Sequence, residues 1–329
     1  MPNRPTGRVR AVLCGPLDAS WRDALAARFP DVDAILFPNL RQALAADAGR
    51  GAHVLLTSGG SAADTFLAQA DGLRWIQTSS AGVDGICTPA LQARPEIVLT
   101  AARGIHGDQM AEHTLALILA LTRSLPAFLR QQARREWKRH SLPEVRGRTL
   151  MVVGYGTIGR SIARLGLAVG LKVVGVRRRG ENRGDEAVAG VRVVGADELD
   201  ALLPEADYVV LTLPLTAETR GLFDAARLAR MRSGAFLLNV GRGQVVDEAA
   251  LARALADGPL GGAALDVFAE EPLPAESPLW DLPNVIVTPH VAAASPRYFE
   301  QVMNVFADNL ERFLAGAPLR HVVDVGRGY

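Results

Sequence analysis

The sequence predicts an α/β protein made of two doubly wound parallel-sheet domains, and two observations lead to that prediction. Short runs rich in Val, Ile and Leu alternate with Ala-rich helical stretches from end to end, which is the pattern of parallel sheets covered on both faces by helices. The chain has 329 residues. Because one domain usually takes ~100–200 residues, two domains are expected rather than one.

The first third of the chain contains a complete alternating series. Its predicted strands are Val9–Cys14, Ala34–Phe37, His53–Thr57, Arg74–Gln77 and Ile97–Thr100. Two predicted helices, Trp21–Phe29 and Leu40–Ala46, separate the first three strands. This segment alone is typical of a small doubly wound domain.

A strongly apolar helix follows this series. The segment Ala111–Arg123 has leucine or isoleucine on nearly every side, so we expect it to be buried all round, between domains, between subunits or inside its own domain. The next segment, Arg130–Arg148, is polar and basic. Because the aromatic residues that stack on bases are nearly missing from it, it indicates a solvated surface rather than a nucleic-acid site.

A second alternating series begins at Thr149. Its predicted strands are Thr149–Val153, Lys172–Val176, Tyr208–Leu213, Ala235–Val240, Gly262–Val267 and Val285–Thr288. An amphipathic helix, Pro296–Leu314, follows this series, and we expect it to pack back onto the first domain.

Composition excludes several classes of function. The chain has 36 Lys and Arg against 35 Asp and Glu, a formal charge of +1, so no net attraction to nucleic acid or to an acidic membrane is expected. Its two cysteines, Cys14 and Cys87, are too few for a metal site or a disulfide framework. The apolar stretch Thr114–Leu121 is shorter than the ~20 residues of a membrane span. No signal peptide is recognised near Met1–Thr6, and a cytoplasmic protein is expected.

A glycine-rich motif predicts dinucleotide binding. The stretch Gly154-Tyr155-Gly156-Thr157-Ile158-Gly159 follows a predicted strand and opens a predicted helix, Arg160–Val169. Gly154 permits a tight turn, Gly156 lets the backbone approach a pyrophosphate, and Gly159 allows close packing of the helix on the strand. The amides of Thr157 and Ile158 lie at the helix N-terminus, where free N–H groups attract phosphate. A purely structural turn is the alternative.

The residue at the end of the next strand bears on which dinucleotide binds. NAD sites place Asp or Glu ~20 residues after the glycine motif to bind the ribose, whereas this chain has Arg177, followed by Arg178 and Arg179. A carboxylate there repels a 2′-phosphate, and guanidinium groups bind one. We therefore predict that NADP(H) is preferred and that NAD(H) is possible. The alternative is an ordinary solvated arginine run.

Three later segments carry catalytic residue types. They are Asn239–Gly243, Asp266–Pro272 and Thr288–His290, and each lies at or just after the end of a predicted strand, where open α/β sheets bind ligands. Together with the glycine motif, and in this order and spacing, they resemble the D-isomer-specific 2-hydroxyacid dehydrogenase family, in particular its glyoxylate and hydroxypyruvate reductases. The resemblance covers essentially the whole chain.

The resemblance implies a domain organisation. A Rossmann nucleotide-binding domain, residues 104–293, would be inserted into a flavodoxin-like substrate domain made of residues 1–103 and 294–329. It also implies a homodimer in which the helix Ala111–Arg123 contributes to the interface.

The resemblance further implies roles for individual residues. Arg242 would bind the substrate carboxylate and carbonyl oxygen, His290 would be the acid/base, and Glu271 would hold His290. Asp266 would contact the nicotinamide amide. Taken alone, each of these residues is explained by an ordinary structural or surface role rather than a catalytic one.

More residues are implied along the cofactor and substrate sites. Leu213, Pro214 and Val240 would line the cofactor groove. In the first domain, backbone N–H groups at Ala81 and Gly82 would face the substrate carboxylate, although an ordinary Gly-containing turn explains this segment equally well.

Elementary chemistry agrees with these roles. Hydride delivery to a 2-keto carbon builds negative charge on oxygen, which a nearby imidazolium neutralises by donating a proton. Arg242 presents two parallel donors to a planar carboxylate and fixes the carbonyl face. The nicotinamide performs the redox step.

The sequence thus predicts NADPH-dependent reduction of a small 2-keto acid, such as glyoxylate, hydroxypyruvate or a phenylpyruvate-like compound, to a D-2-hydroxy acid. Two alternatives stay open. One is a formate- or phosphite-type dehydrogenase, although formate enzymes carry glutamine where this chain has Glu271. The other is a dimeric nucleotide-sensing protein of the corepressor type.

Overall fold

The computed structural model describes residues 7–178 and 187–328. They form two compact units: one contains the described residues up to Ile105 and from Ser295 onward, and the other runs from His106 to Ala294. Each unit is built on one parallel sheet, one of five strands and one of seven. The predicted fold class is confirmed.

The smaller unit begins with five strands in the order β2-β1-β3-β4-β5, the flavodoxin-like order. The strands are β1 Val9–Cys14, β2 Val32–Phe37, β3 Val54–Thr57, β4 Trp75–Thr78 and β5 Val98–Thr100. The helices between them are α1 Ala19–Arg28, α2 Leu40–Ala45, α3 Ala63–Gln69 and α4 Pro89–Gln92. Side chains of Asp18, Asn39 and Thr88 cap α1, α2 and α4 by accepting first-turn N–H bonds.

The larger unit starts with two helices, α5 Gly107–Thr122 and α6 Leu125–Ala133. Its strands are β6 Thr149–Val153, β7 Lys172–Arg177, β8 Val191–Gly195, β9 Tyr208–Leu211, β10 Phe236–Asn239, β11 Gly262–Leu265 and β12 Val285–Val287. The remaining helices are α7 Thr157–Ala168, α8 Leu199–Leu202, α9 Ala225–Arg230 and α10 Glu248–Ala256. The strand order is β12-β11-β10-β9-β6-β7-β8, which reverses direction beside β6, where such sheets bind ligands.

The final helix, α11 Tyr298–Leu314, belongs to the smaller unit. Its Phe306 stacks on Trp75 of β4 with ring centroids 5.1 Å apart, and Phe313 lies at 5.6 Å from the same ring. Aromatic pairs of this kind add to the stabilisation from burial. The predicted packing of the C-terminal helix onto the first domain is therefore confirmed.

Two details differ from the predictions. The edge strand β8 was not predicted, because its sequence VRVVG places Arg192 in an otherwise apolar run at an exposed edge. Helix α5 was expected to be buried all round, and that is wrong for the single chain. Leu115 and Leu119 are only partly buried and Ala116 is exposed, since α5 lies against α7 on one side, where Gly107 approaches Ser161.

Two properties of the described residues bear on membrane and metal binding. In the described ranges, every helix is too short or too polar to traverse a lipid bilayer. Within the same ranges, no group of three or more His, Cys, Asp or Glu side chains has the arrangement of a metal site.

Candidate active site

The glycine motif forms the turn between β6 and α7. Gly154 has φ of 103°, and a Cβ there would lie 2.8 Å from Oγ1 of Thr212, so only glycine fits. Its amide donates to the carbonyl oxygen of Val176 at 3.0 Å. A Cβ on Gly159 would lie 2.7 Å from the oxygen of Gly154, and the helix therefore begins directly against the turn.

Gly156 differs from its two neighbours in this motif. A Cβ there would meet only one atom, the oxygen of Gly154 at 4.0 Å, so the fold itself leaves space beside it. Gly156 is also the N-cap of α7, and no side chain caps this helix. The first-turn amides, which include those of Thr157 and Ile158, have no partner within the helix. Open space next to uncapped amides fits the pyrophosphate of a dinucleotide.

The predicted arginines lie beside this turn. Arg177 is the last residue of β7, and the exposed Arg178 follows it. Val176, one residue earlier, accepts hydrogen bonds from the amides of Gly154 and Tyr155. Arg177 and Arg178 thus follow, by one and two residues, the residue that the glycine turn contacts. Arg179, the third arginine of the predicted run, lies outside the described residues.

The other predicted cofactor residues follow β9 and β10. Leu213 and Pro214 are half-buried, whereas Val240 is only 3% exposed. A Cβ on Gly241 would lie 2.8 Å from the oxygen of Leu213, so the two loops are in contact. The structure brings these residues and the glycine turn to one edge of the seven-stranded sheet.

His290 and Glu271 form a hydrogen-bonded pair. Nδ1 of His290 lies 2.7 Å from Oε2 of Glu271, and because an ionised carboxylate only accepts, Nδ1 carries the proton. The other oxygen, Oε1, accepts the amide of Phe268 at 2.9 Å. The imidazole is 52% exposed, and Nε2 makes no hydrogen bond to any described residue. One ring nitrogen is fixed and the other is accessible.

Arg242 follows β10, the strand next to β11. Its carbonyl oxygen accepts from Nδ2 of Asn239 at 2.9 Å. A Cβ on the next residue, Gly243, would lie 1.8 Å from the carbonyl carbon of Phe268, so the arginine loop packs directly on the loop that carries Glu271. Arg242, Glu271 and His290 therefore follow three neighbouring strands, β10, β11 and β12.

Asp266 lies beneath the His290 turn. Its side chain is 1% exposed. Oδ1 accepts the amide of Val291 and Oδ2 that of Ala292, both at 2.9 Å, and Oδ1 also accepts the hydroxyl of Thr288 at 2.6 Å. The family resemblance implies a contact between Asp266 and the nicotinamide amide, which stays a prediction. What the structure adds is a bracing role that the sequence did not indicate.

In the smaller unit, the loop after β4 contains Ala81 and Gly82. Three of its carbonyl groups accept hydroxyl groups: Tyr298 Oη donates to the oxygen of Ser79 at 2.7 Å, Thr78 Oγ1 to that of Ser80 at 2.7 Å, and Ser80 Oγ to that of Gly82 at 2.6 Å. The amides from Ser80 to Val83 donate no hydrogen bond to any residue in the described ranges. A half-buried run of open N–H groups fits an anion such as a carboxylate.

Two residues not predicted from the sequence hold the loop that carries Glu271. Nε2 of Gln244 donates to the oxygen of Ala269 at 2.8 Å, and Oε1 of Glu248 accepts the amide of the same residue. Burial raises the pKa of Glu248, the Ala269 amide opposes this, and the charge of Glu271 raises it further. Both residues follow Arg242 closely in sequence, but nothing in that pattern indicates that they reach the next loop.

Both cysteine thiols have raised pKa values. Burial raises the pKa of Cys14 to about 12, and burial together with the charge of Asp84 raises that of Cys87 to about 11. Because the thiolate is the nucleophile, neither group is active at neutral pH.

Comparison with known proteins agrees with this arrangement. Residues 115–292 match the family described as D-isomer specific 2-hydroxyacid dehydrogenase, NAD binding domain. A D-3-phosphoglycerate dehydrogenase of Mycobacterium bovis is 36% identical over 319 residues, 95% of this chain. The chain spans 55% of that relative's length.

Two further proteins match over most of both chains. Glyoxylate/hydroxypyruvate reductase B of Pectobacterium atrosepticum is 35% identical, with 80% of this chain and 83% of the relative covered. The solved structure of an NADPH-dependent glyoxylate/hydroxypyruvate reductase from Sinorhizobium meliloti, in complex with NADP and sulfate, is 32% identical. It has a TM-score of 0.84, with 98% of this chain and 100% of that chain covered.

The family match covers more than half of the described chain, and these relatives extend it to both units. The resemblance seen in the sequence is confirmed: the chain belongs to the D-isomer-specific 2-hydroxyacid dehydrogenase family.

Proposed function

We propose that this protein is an enzyme that reduces a small 2-keto acid to the D-2-hydroxy acid with NADPH, and that glyoxylate and hydroxypyruvate are the substrates to test first. The observation that carries the proposal is the hydrogen bond of 2.7 Å between Nδ1 of His290 and Oε2 of Glu271. A histidine held at one ring nitrogen by a carboxylate is oriented for proton transfer at the other.

The proton step follows from this pair. A nicotinamide, when bound, supplies the hydride. As negative charge develops on the carbonyl oxygen of the keto acid, His290 donates its Nε2 proton to that oxygen, giving the hydroxyl group and a neutral imidazole. Glu271 keeps the ring in one orientation and stabilises the imidazolium before transfer.

Arg242 is the proposed substrate anchor of the larger unit. The Arg242 guanidinium binds the carboxylate and the carbonyl oxygen, which fixes the face of the carbonyl that is reduced. In the smaller unit, the amides of Ala81 and Gly82 are proposed to donate to an anionic group such as a carboxylate. This assignment gives a ligand to the amides of that loop, which donate to no residue in the described ranges, whereas the carbonyl oxygens of Ser79, Ser80 and Gly82 already accept hydroxyl groups.

The cofactor residues support NADPH. The turn Gly154–Gly159 would hold the pyrophosphate, with Leu213, Pro214, Val240 and Asp266 further along the same sheet edge. Arg177 and Arg178 would bind the 2′-phosphate. The Sinorhizobium meliloti relative is described as NADPH-dependent and was solved with NADP.

Two finer properties belong to the proposal. We propose a homodimer, because α5 leaves Leu115 and Leu119 partly open, and α6 exposes Leu125 by 48% and Leu129 by 65%. A reducing compartment such as the cytoplasm suits the free thiols Cys14 and Cys87. Sedimentation velocity checks the dimer.

The test is a panel assay that follows NADPH or NADH oxidation with glyoxylate, hydroxypyruvate, pyruvate and phenylpyruvate. We expect kcat/KM for NADPH to exceed that for NADH by about tenfold or more, because two charge-assisted contacts are specific to the phosphate. Replacing Arg177 and Arg178 together by serine removes most of that preference, whereas Arg22→Ser, an exposed arginine on α1, leaves it unchanged. Binding of NADPH without turnover on any keto acid would refute the enzyme and favour a nucleotide sensor.

A further inference from the structure

The turn that carries His290 has an unfavourable backbone conformation. His290 has φ of 53°, the left-handed region, which costs about 1–3 kcal/mol for a residue other than glycine and persists only where its surroundings hold it. Its own amide donates to the carbonyl oxygens of Asp266 and Thr288, at 2.8 and 3.0 Å. The next two amides, of Val291 and Ala292, donate to the Asp266 carboxylate. Asp266 therefore holds the turn through both backbone and side chain.

The Asp266 carboxylate must itself be held at one rotation. Each of its oxygens receives a different amide, so rotation of the carboxylate group would break both bonds. Oγ1 of Thr288 lies 2.6 Å from Oδ1, and since the carboxylate only accepts, the threonine donates. This hydroxyl fixes the rotation from a third direction.

A histidine from α5 completes the chain of bonds. Nε2 of His113 lies 3.2 Å from Oγ1 of Thr288 and 3.7 Å from Oδ1 of Asp266. Because the threonine proton is directed to Asp266, the histidine must donate, and its Nε2 carries the proton. The order of donation runs from His113 to Thr288 to Asp266.

This chain of hydrogen bonds explains why a histidine stands at position 113 and a threonine at position 288. His113 interrupts an apolar helix, and its side chain is 21% exposed. A leucine would suit α5 better by burial alone. Thr288 directly follows β12, and an isosteric valine there would lack the hydroxyl that bonds Asp266.

We propose that Thr288 and His113 are positioning residues for the reduction: through Asp266 they hold the amides of Val291 and Ala292, and so keep the His290 imidazole aimed for proton transfer. The proposal rests on the proposed function for its kinetic consequence. Neither residue touches substrate in this account, so their removal lowers kcat and leaves substrate and cofactor affinity nearly unchanged.

The test compares Thr288→Val, which removes only the hydroxyl, with Thr288→Ser, which keeps it. We expect Thr288→Val to lower kcat by about tenfold or more, since it leaves buried polar groups unsatisfied, with KM for the keto acid and Kd for NADPH within about twofold. Thr288→Ser restores kcat to within about threefold of wild type. The control is Thr114→Val: in the described part of the chain the Thr114 hydroxyl bonds the carbonyl of Met110 within α5, away from the His290 turn, and the variant keeps wild-type kcat.

A double-mutant cycle tests whether the two residues act in series. His113→Phe alone lowers kcat by a smaller factor, about threefold, and added to Thr288→Val it causes little further loss, because the two residues share one chain of bonds. Multiplicative losses in the double variant would contradict the proposal. His113→Phe also tests the bond chain if Thr288→Val fails to fold.

A readout without substrate separates this proposal from the proposed function. Amide hydrogen exchange at Val291 and Ala292 becomes about tenfold faster in Thr288→Val, but not in Thr288→Ser or Thr114→Val, because only Thr288→Val loses the hydroxyl that fixes the Asp266 carboxylate. Three results would overturn the proposal that Thr288 and His113 hold the turn. They are unchanged amide exchange in Thr288→Val, an unchanged kcat in Thr288→Val, and a Thr288→Ser variant that does not recover kcat. If the wild type reduces no keto acid, the proposed function fails, and the exchange measurement still shows whether Thr288 holds the amides of Val291 and Ala292.

Discussion

The His290 turn and the loop after β4 are both polar, yet they treat their hydrogen-bonding groups in opposite ways. Around His290, the amides of Val291 and Ala292 and the carboxylate of Asp266 satisfy one another within the chain. In the loop after β4, hydroxyls occupy the carbonyl groups, while the amides from Ser80 to Val83 find no acceptor among the described residues.

This difference indicates that the His290 turn and the loop after β4 have different roles. A turn that satisfies its own polar groups is rigid and presents one side chain in a fixed direction, which suits a group that transfers a proton. A half-buried loop with open donors is completed by an anion, because unsatisfied amides carry a free-energy cost that a ligand removes. Changes at the first region should therefore act on turnover, and changes at the second on substrate affinity.

The largest expected effect is at His290. His290→Ala should lower kcat by more than about 10², because general acid catalysis is typically worth 10²–10⁴, while Kd for NADPH stays within about twofold of wild type. Steady-state kinetics and a fluorescence titration of NADPH measure the two quantities. His140→Ala, an exposed histidine elsewhere in the larger unit, is the control. Normal turnover in His290→Ala would remove the acid/base assignment.

Arg242 should come next. Arg242→Ala should reduce kcat/KM for the keto acid by about 10², since it removes two charge-assisted hydrogen bonds, and it should affect KM and kcat together. Exposed Arg253 on α10 provides a control as Arg253→Ala. An effect confined to NADPH binding would contradict the substrate role of Arg242.

A substitution at Tyr298 tests the loop after β4. Tyr298→Phe removes the hydroxyl that donates to Ser79, which loosens the loop and should raise KM for the keto acid about fivefold with kcat nearly unchanged, the value of one hydrogen bond. Tyr208→Phe, whose hydroxyl bonds Thr122 in the core, should lose stability without a change in KM. A fall in kcat alone in Tyr298→Phe would contradict the binding role of this loop.

The smallest effect is one of stability, at the loop that carries Glu271. Because the pKa of Glu248 is raised from 4.5, chiefly by burial, the stability linked to its neutral form is present below that value and is lost as pH rises through the folded pKa. Glu248→Gln keeps the acceptor for Ala269. It should raise the free energy of unfolding at pH 7 by less than about 1 kcal/mol, and by less still near pH 4. Urea titrations at the two pH values measure this, and a less stable variant at pH 7 would contradict it.

These regions also show which features of the fold and of the site can be predicted from the sequence. The two sheets, the glycine turn and the positions of Arg242, Glu271 and His290 at strand ends could be predicted, because alternation and strand-end motifs are local signals. The pairing of His290 with Glu271 needed the family resemblance. The partners of the loops could not be predicted, because Tyr298 is 219 residues from Ser79 and Thr288 is 175 residues from His113. Contacts so distant along the chain leave no periodic or local pattern.

A single-turnover measurement of NADPH oxidation, made over a range of glyoxylate concentrations for wild type, His290→Ala and Tyr298→Phe, separates the proposed roles of the His290 turn and of the loop after β4. The limiting rate constant should fall by more than about 10² in His290→Ala with little change in half-saturation, whereas Tyr298→Phe should shift half-saturation about fivefold at an unchanged limiting rate. If both variants changed the same parameter, or if His290→Ala retained the wild-type limiting rate, the division of work between a rigid catalytic turn and an open binding loop would be wrong.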